Sequence, residues 1–126
     1  MVQLPHNGRM YREGAIPEIV RRLVEYYNPE RIYLFGSAAR GDDGPDSDLD
    51  FCVVLPDDTP REKLGPEIHT ALWRWGIFTA ADIIRIKVRD FEMRAEHVPS
   101  SLPAVVVKEG RLLYDAQSCV PPAVAA

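Results

Sequence analysis

The sequence predicts a small α/β domain, and three observations carry that prediction. Two apolar runs, Arg31-Ile32-Tyr33-Leu34-Phe35 and Leu49-Asp50-Phe51-Cys52-Val53-Val54-Leu55, have the β-branched and aromatic content of buried strands and enclose one polar loop. Ile16, Ile19, Val20, Leu23, Val24 and Tyr27 fall at i, i+3, i+4, i+7, i+8 and i+11, the stripe of an amphipathic helix. Beyond residue 56 helical and strand patterns alternate. A chain of 126 residues is expected to form one domain, large enough to bury a real core and too small for two domains.

In order along the chain, residues 1–14 are rich in Gly, Pro and polar side chains and read as a flexible N-terminus. The folded domain is expected over 15–116. Its first helix starts near Ala15, takes Pro17 in its first turn and stops at Asn28-Pro29. After the two strands, Pro56-Asp57-Asp58-Thr59-Pro60 reads as a turn in which Asp58 or Thr59 caps a helix with Pro60 at its first position. The stripe Leu64, Ile68, Ala71, Leu72, Trp75 is that helix's buried face, Trp73 lies off it, and Gly76 is its stop. Ala81–Val88 reads as a third strand and Arg89–Glu96 as a short helix. The valines at 105–107 favour a strand locally, but Ser100, Ser101, Pro103 and Gly110 sit at helix-boundary positions, and a helix is expected. Arg111–Asp115 closes the fold as a strand, and residues 117–126 form a small, Pro-containing tail expected to be disordered.

Within this scaffold the chemistry concentrates between residues 36 and 50. Side chains of a strand alternate faces, so Asp48 and Asp50 point one way and Leu49 the other. Two carboxylates about 4 Å apart at an effective dielectric near 20 repel by roughly 4 kcal/mol, which calls for a cation or a shared proton. Oxygen-only ligands at the end of a rigid element suit Mg²⁺, which keeps waters that phosphate oxygens replace. Gly36-Ser37 supplies the complement: a residue without Cβ admits a ligand to the backbone, and the following N–H groups with the Ser37 hydroxyl can cradle phosphate. A lone Asp-x-Asp or Gly-Ser is ordinary loop chemistry. Gly-Ser, ten residues, Asp-x-Asp and an apolar strand on each side is a far narrower pattern.

The segment Gly36-Ser37-Ala38-Ala39-Arg40-Gly41 through Ser47-Asp48-Leu49-Asp50 resembles the signature of the polymerase-β-type nucleotidyltransferases in minimal form, closest to the small members encoded beside a HEPN-domain ribonuclease as toxin–antitoxin pairs. The resemblance implies an α/β (α+β) polymerase-β-like fold: a small mixed sheet with helices packed mainly on one face. It also implies a third carboxylate on the next strand, where Asp82 is the acid available. On that pattern Asp48, Asp50 and Asp82 bind two Mg²⁺, Asp82 holding only the ion nearer the acceptor hydroxyl and able to take its proton. Gly36, Ser37, Arg40 and Ser47 would face the nucleoside triphosphate, although Arg40 is as readily a surface arginine paired with Asp42 or Asp43. Asp42, Asp43 and Asp46 read as loop residues, and His6, His69 and His97 have no partner spacing for catalysis. The implied reaction moves AMP from ATP to a hydroxyl of a partner, a HEPN toxin, and neutralises it. Larger relatives carry a second domain that holds the acceptor, so an acceptor arriving as another protein is expected. Two alternatives stand beside this: transfer to a small aminoglycoside-like hydroxyl, and an antitoxin that acts by binding alone.

Bulk properties narrow the partners. The net charge of −4 and a pI of about 5.3 argue against capture of long nucleic acid by the chain alone. Cys52 and Cys119 fit neither a zinc spacing nor a disulfide framework. No leader-like N-terminus or membrane-length apolar run is present, so a cytoplasmic protein is expected, and a homo-oligomer is compatible with all of this.

Overall fold

The computed structural model describes residues 8–36, 39, 48–77 and 81–117, as α1 (Gly8–Tyr27), β1 (Arg31–Phe35), β2 (Leu49–Leu55), a 3₁₀ turn (Arg61–Leu64), α2 (Glu67–Arg74), β3 (Ala81–Lys87), α3 (Val88–His97), α4 (Leu102–Glu109) and β4 (Arg111–Asp115). The four strands form one mixed sheet in the order β3-β2-β1-β4. β1 is antiparallel to both neighbours, whereas β2 and β3 run parallel, joined by the crossover through α2 that parallel pairing requires.

Alternation along the strands divides the apolar side chains into two cores. Ile32, Leu34, Leu49, Phe51, Val53, Leu55 and Ile83 face the larger one, where Ile19, Val20, Leu23 and Tyr27 of α1 and Ile68 and Leu72 of α2 pack on them. On the opposite face Tyr33, Cys52 and Val54 meet Phe91 of α3 and Val106 of α4. Helices therefore cover both faces, with most of the burial on the α1/α2 side. Tyr33 and Phe91 stack with ring centroids 5.6 Å apart and planes 18° from parallel.

Two elements differ from the sequence expectation. α1 starts at Gly8 rather than near Ala15, so Pro17 lies inside the helix and not in its first turn. The Gly, Pro and polar content of residues 1–14 points to a loose segment, but Arg9–Glu13 contains good helix formers and the helix extends through them. The helix expected from Pro60 is broken: a 3₁₀ turn ends at Leu64, and Gly65-Pro66 separates it from α2. Thr59 does not cap it; its hydroxyl donates to the Pro56 carbonyl at 2.7 Å. The break has its own lock, since the Arg85 guanidinium donates to the Gly65 carbonyl at 2.6 Å. The apolar stripe survives all the same, with Ile68 and Leu72 buried and Leu64, Ala71 and Trp75 packed against the core. Trp73 is 67% exposed, as its place off the stripe implies.

The valine-rich segment is helical, as its boundary residues indicate: the Ser101 hydroxyl accepts from the Ala104 N–H at 3.3 Å. The N-terminal residues 1–7 and the tail from 118 onward lie outside the described residues.

Candidate active site

β1 ends and β2 and β3 begin at one end of the sheet. There the register sets Phe35 opposite Asp50 and Asp50 opposite Asp82. Residues paired across strands share a face, so the two carboxylates stand side by side on the α3/α4 face, in line with Cys52 and Ile86 further along their strands. Leu49 is turned the other way and is 1% exposed in the larger core. Its burial fixes which way its neighbours point, because slipping β2 by one residue would drive Leu49 into solvent and Asp50 into the core.

The electrostatics follow from that placement. Asp50 is partly buried while Asp48 and Asp82 are exposed. Burial raises the Asp50 carboxyl above the ordinary carboxylate range, and the charges of Asp82 and then Asp48 raise it further. Among the described residues no three His, Cys, Asp or Glu side chains are gathered closely enough to hold a metal ion as they stand. Asp50 and Asp82 are nonetheless fixed by the strands, and Asp48 lies at the entry to β2. All three offer hard oxygen donors, and their mutual repulsion is what a divalent cation would relieve.

Gly36 completes the described part of the site. It follows the last residue of β1 with φ of +77°, a conformation L side chains rarely adopt, and its backbone crowds Asp50. A Cβ added there would overlap Asp50 Oδ2 and lie 3.3 Å from Cγ. Ser37, Arg40 and Ser47, together with the loop acids Asp42, Asp43 and Asp46, lie outside the described residues. Phe35 is the neighbour that motif reading passed over: it flanks Asp50 on the same face, partly buried against the α3/α4 core. Strand alternation, applied across β1 as well as along β2, would have found it. Cys52, two residues beyond Asp50, is wholly buried, and burial pushes its thiol up to about 12, so it supplies no nucleophile.

A mixed sheet that sets paired acids against a glycine turn defines a nucleotidyl-transfer class of domain. The chain belongs to the nucleotidyltransferase domain family, which it matches over residues 16–111, and it is a nucleotidyltransferase. It is 32% identical over 107 residues to a protein of Methanocaldococcus jannaschii named "Putative protein adenylyltransferase", an alignment that spans 83% of this chain and all of that one. A solved toxin–antitoxin structure with AMP-PNP contains a chain that superposes with a TM-score of 0.50 at 23% identity, over 82% of this chain and 76% of the other, which shows a shared fold. Among the described residues no helix is long and apolar enough to cross a membrane.

Proposed function

We propose that this nucleotidyltransferase transfers AMP from ATP to a hydroxyl of a partner protein, with Asp48, Asp50 and Asp82 as its catalytic carboxylates. The observation that carries the reading is the pairing of Asp50 with Asp82 across β2 and β3, with the Gly36 backbone closed against Asp50. The relative named as a protein adenylyltransferase, which this chain covers end to end, favours a protein acceptor over an aminoglycoside-like one.

The residues fit Mg²⁺ by donor chemistry: Asp48, Asp50 and Asp82 would hold it. When bound, Mg²⁺ supplies positive charge that offsets the three carboxylates and the triphosphate. The chain's own residues do the rest. At the end of β1 the Gly36 turn closes on Asp50, and Gly36, Ser37, Arg40 and Ser47 are the candidates to contact the triphosphate. Asp50, fixed by its strand, orients the reacting end of the nucleotide. Asp82, exposed at the edge strand, takes the proton of the acceptor hydroxyl. An O–P bond then forms at the α-phosphorus, the bond to the β-phosphate breaks in line, and pyrophosphate leaves with its electron pair.

The acceptor we infer is a HEPN ribonuclease toxin, through a tyrosine hydroxyl, so that the chain acts as the antitoxin. The motif's resemblance supports this, as does the toxin–antitoxin context of the solved neighbour. The test is incubation with a purified HEPN ribonuclease toxin, Mg²⁺ and ATP labelled at the α-phosphate. Label should pass to the partner with wild type and not with Asp48→Asn. No transfer by either, with ribonuclease activity still suppressed by both, would replace the reading with inhibition by binding alone.

A further inference from the structure

β3 is an outer strand of the sheet, and among the described residues no strand pairs with its far side. Its register with β2 runs one residue to one from Ala81 to Lys87 without a break, so alternate residues turn their backbone N–H and C=O groups to the open side. Natural edge strands are commonly closed to further pairing by proline, a bulge or outward charge. β3 has neither proline nor bulge. Its mid-strand charge, Arg85, is turned inward, donating to the Gly65 carbonyl at 2.6 Å and to the Tyr27 hydroxyl at 3.4 Å. Its other two charges, Asp82 and Lys87, stand near the ends, and neither forms a hydrogen bond or ion pair among the described residues.

What selects the occupant is that this open edge is continuous with the active site. Asp82 is exposed near the start of β3 and is paired on its covered side with Asp50. We propose that the acceptor protein docks by adding an extended segment to β3 as a fifth strand, with its reactive hydroxyl residue opposite Asp82; this rests on the reading of the chain as a protein adenylyltransferase. Cross-strand partners share a face with Cβ atoms about 4.5–5.5 Å apart, so that register alone brings the hydroxyl residue into one row with Asp82 and Asp50. It also fixes the segment's neighbouring residues. Two positions along, the acceptor side chain lies beside Ile84, partly exposed on the same face as Cys52, and an apolar residue fits there. Five positions along, on the other face, it meets the Lys87 ammonium, and an acid fits. The acceptor is therefore an extended segment with a hydroxyl, an apolar and an acidic residue in that spacing, gripped mainly through its backbone.

Amide hydrogen exchange followed residue by residue tests this on the wild-type chain with Mg²⁺ and a non-hydrolysable ATP analogue, alone and with a purified HEPN ribonuclease toxin. Transfer of label from ATP is measured on the same two proteins. In the chain alone every second amide from Ile83 to Lys87 should exchange fast, because only the alternate set bonds to β2, and the toxin should slow that fast set by about tenfold or more. Lys87→Glu should raise the KM for the toxin several-fold at unchanged kcat. If label reaches the toxin while the fast amides stay fast, the acceptor docks elsewhere, and the proposal falls with the transfer reading intact. If no label reaches the toxin, the transfer reading itself fails and takes the proposal with it. A fast set that is already slow in the chain alone would show an edge closed without an acceptor, which also overturns the proposal.

Discussion

The Gly36 backbone is pressed against the Asp50 carboxylate so closely that a methyl group on the glycine would overlap Asp50 Oδ2. Two separate costs therefore meet in Gly36→Ala. The φ of +77° costs an L residue about 1–2 kcal/mol, and the new Cβ must displace Asp50 or the turn itself. A shift of about 1 Å at a reacting group costs on the order of 100-fold in rate. The expected result is a folded protein, less stable by about 1–2 kcal/mol, whose AMP transfer falls by on the order of 100-fold. Thermal melts and labelled-ATP transfer measured on the same preparation separate the two effects.

Asp50→Asn should move stability and activity in opposite directions. Asp82 and Asp48 raise the Asp50 carboxyl, so its charge is held against repulsion from both, on top of the burial cost. Replacing it with the isosteric amide removes that repulsion. Stability should rise by an amount that solvent screening keeps small, read as a higher Tm. Transfer should be lost. Mg²⁺ with a non-hydrolysable ATP analogue should raise the wild-type Tm by mass action and leave that of Asp50→Asn nearly unmoved. A wild-type Tm indifferent to Mg²⁺ and nucleotide would count against the carboxylates as ligands.

The parts of this fold that were legible in the sequence are those where a local pattern and the tertiary structure make the same demand. Leu49 and Phe51 had to face a core, so alternation alone put Asp48 and Asp50 on the other side. Asp82 could be singled out as an acid at a strand start, but its position opposite Asp50 is a property of parallel register, which no local spacing encodes. The break at Gly65-Pro66 was hidden for a similar reason. The helical stripe runs straight through it, and the Arg85 guanidinium that satisfies the freed Gly65 carbonyl is twenty residues away. The start of α1 was hidden in the opposite sense, since the Gly and polar content before Ala15 reads as loose chain, yet the helix begins at Gly8 and carries Pro17 inside it.

Phe91 is what fastens α3 to the sheet. It is the buried residue of that helix, it stacks on Tyr33, and the Arg31 guanidinium lies 5.5 Å from its ring centroid on the way to an ion pair with Glu92. Phe91→Ala should cost about 3–5 kcal/mol by lost burial and the cavity left behind. Glu92→Gln breaks only a partly exposed ion pair and should cost less than about 1 kcal/mol. Urea midpoints at unchanged slope give both values. Equal losses would mean that the ion pair, not the ring, holds the helix.

Cys52 gives a pH dependence whose sign can be worked out. Burial pushes its thiol from an ordinary value of 9.0 up to about 12, so the native state keeps the proton over a range in which the unfolded chain releases it. Below pH 9 both states are protonated and the residue's contribution is intact. Above it the unfolded state alone gains by ionising, and stability falls by about 1.4 kcal/mol for each pH unit until the native thiol titrates. Other groups titrate in this range, so the measurement is a difference. In a Cys119→Ser background, denaturant stability between pH 8 and 10.5 should fall more steeply with Cys52 than with Cys52→Ala, by about 1–2 kcal/mol at the upper end. The same burial should make alkylation of Cys52 track global unfolding, with a rate that denaturant raises in step with the unfolded fraction. Parallel stability curves for the two proteins, or rapid alkylation without denaturant, would show a thiol that reaches water from the native state.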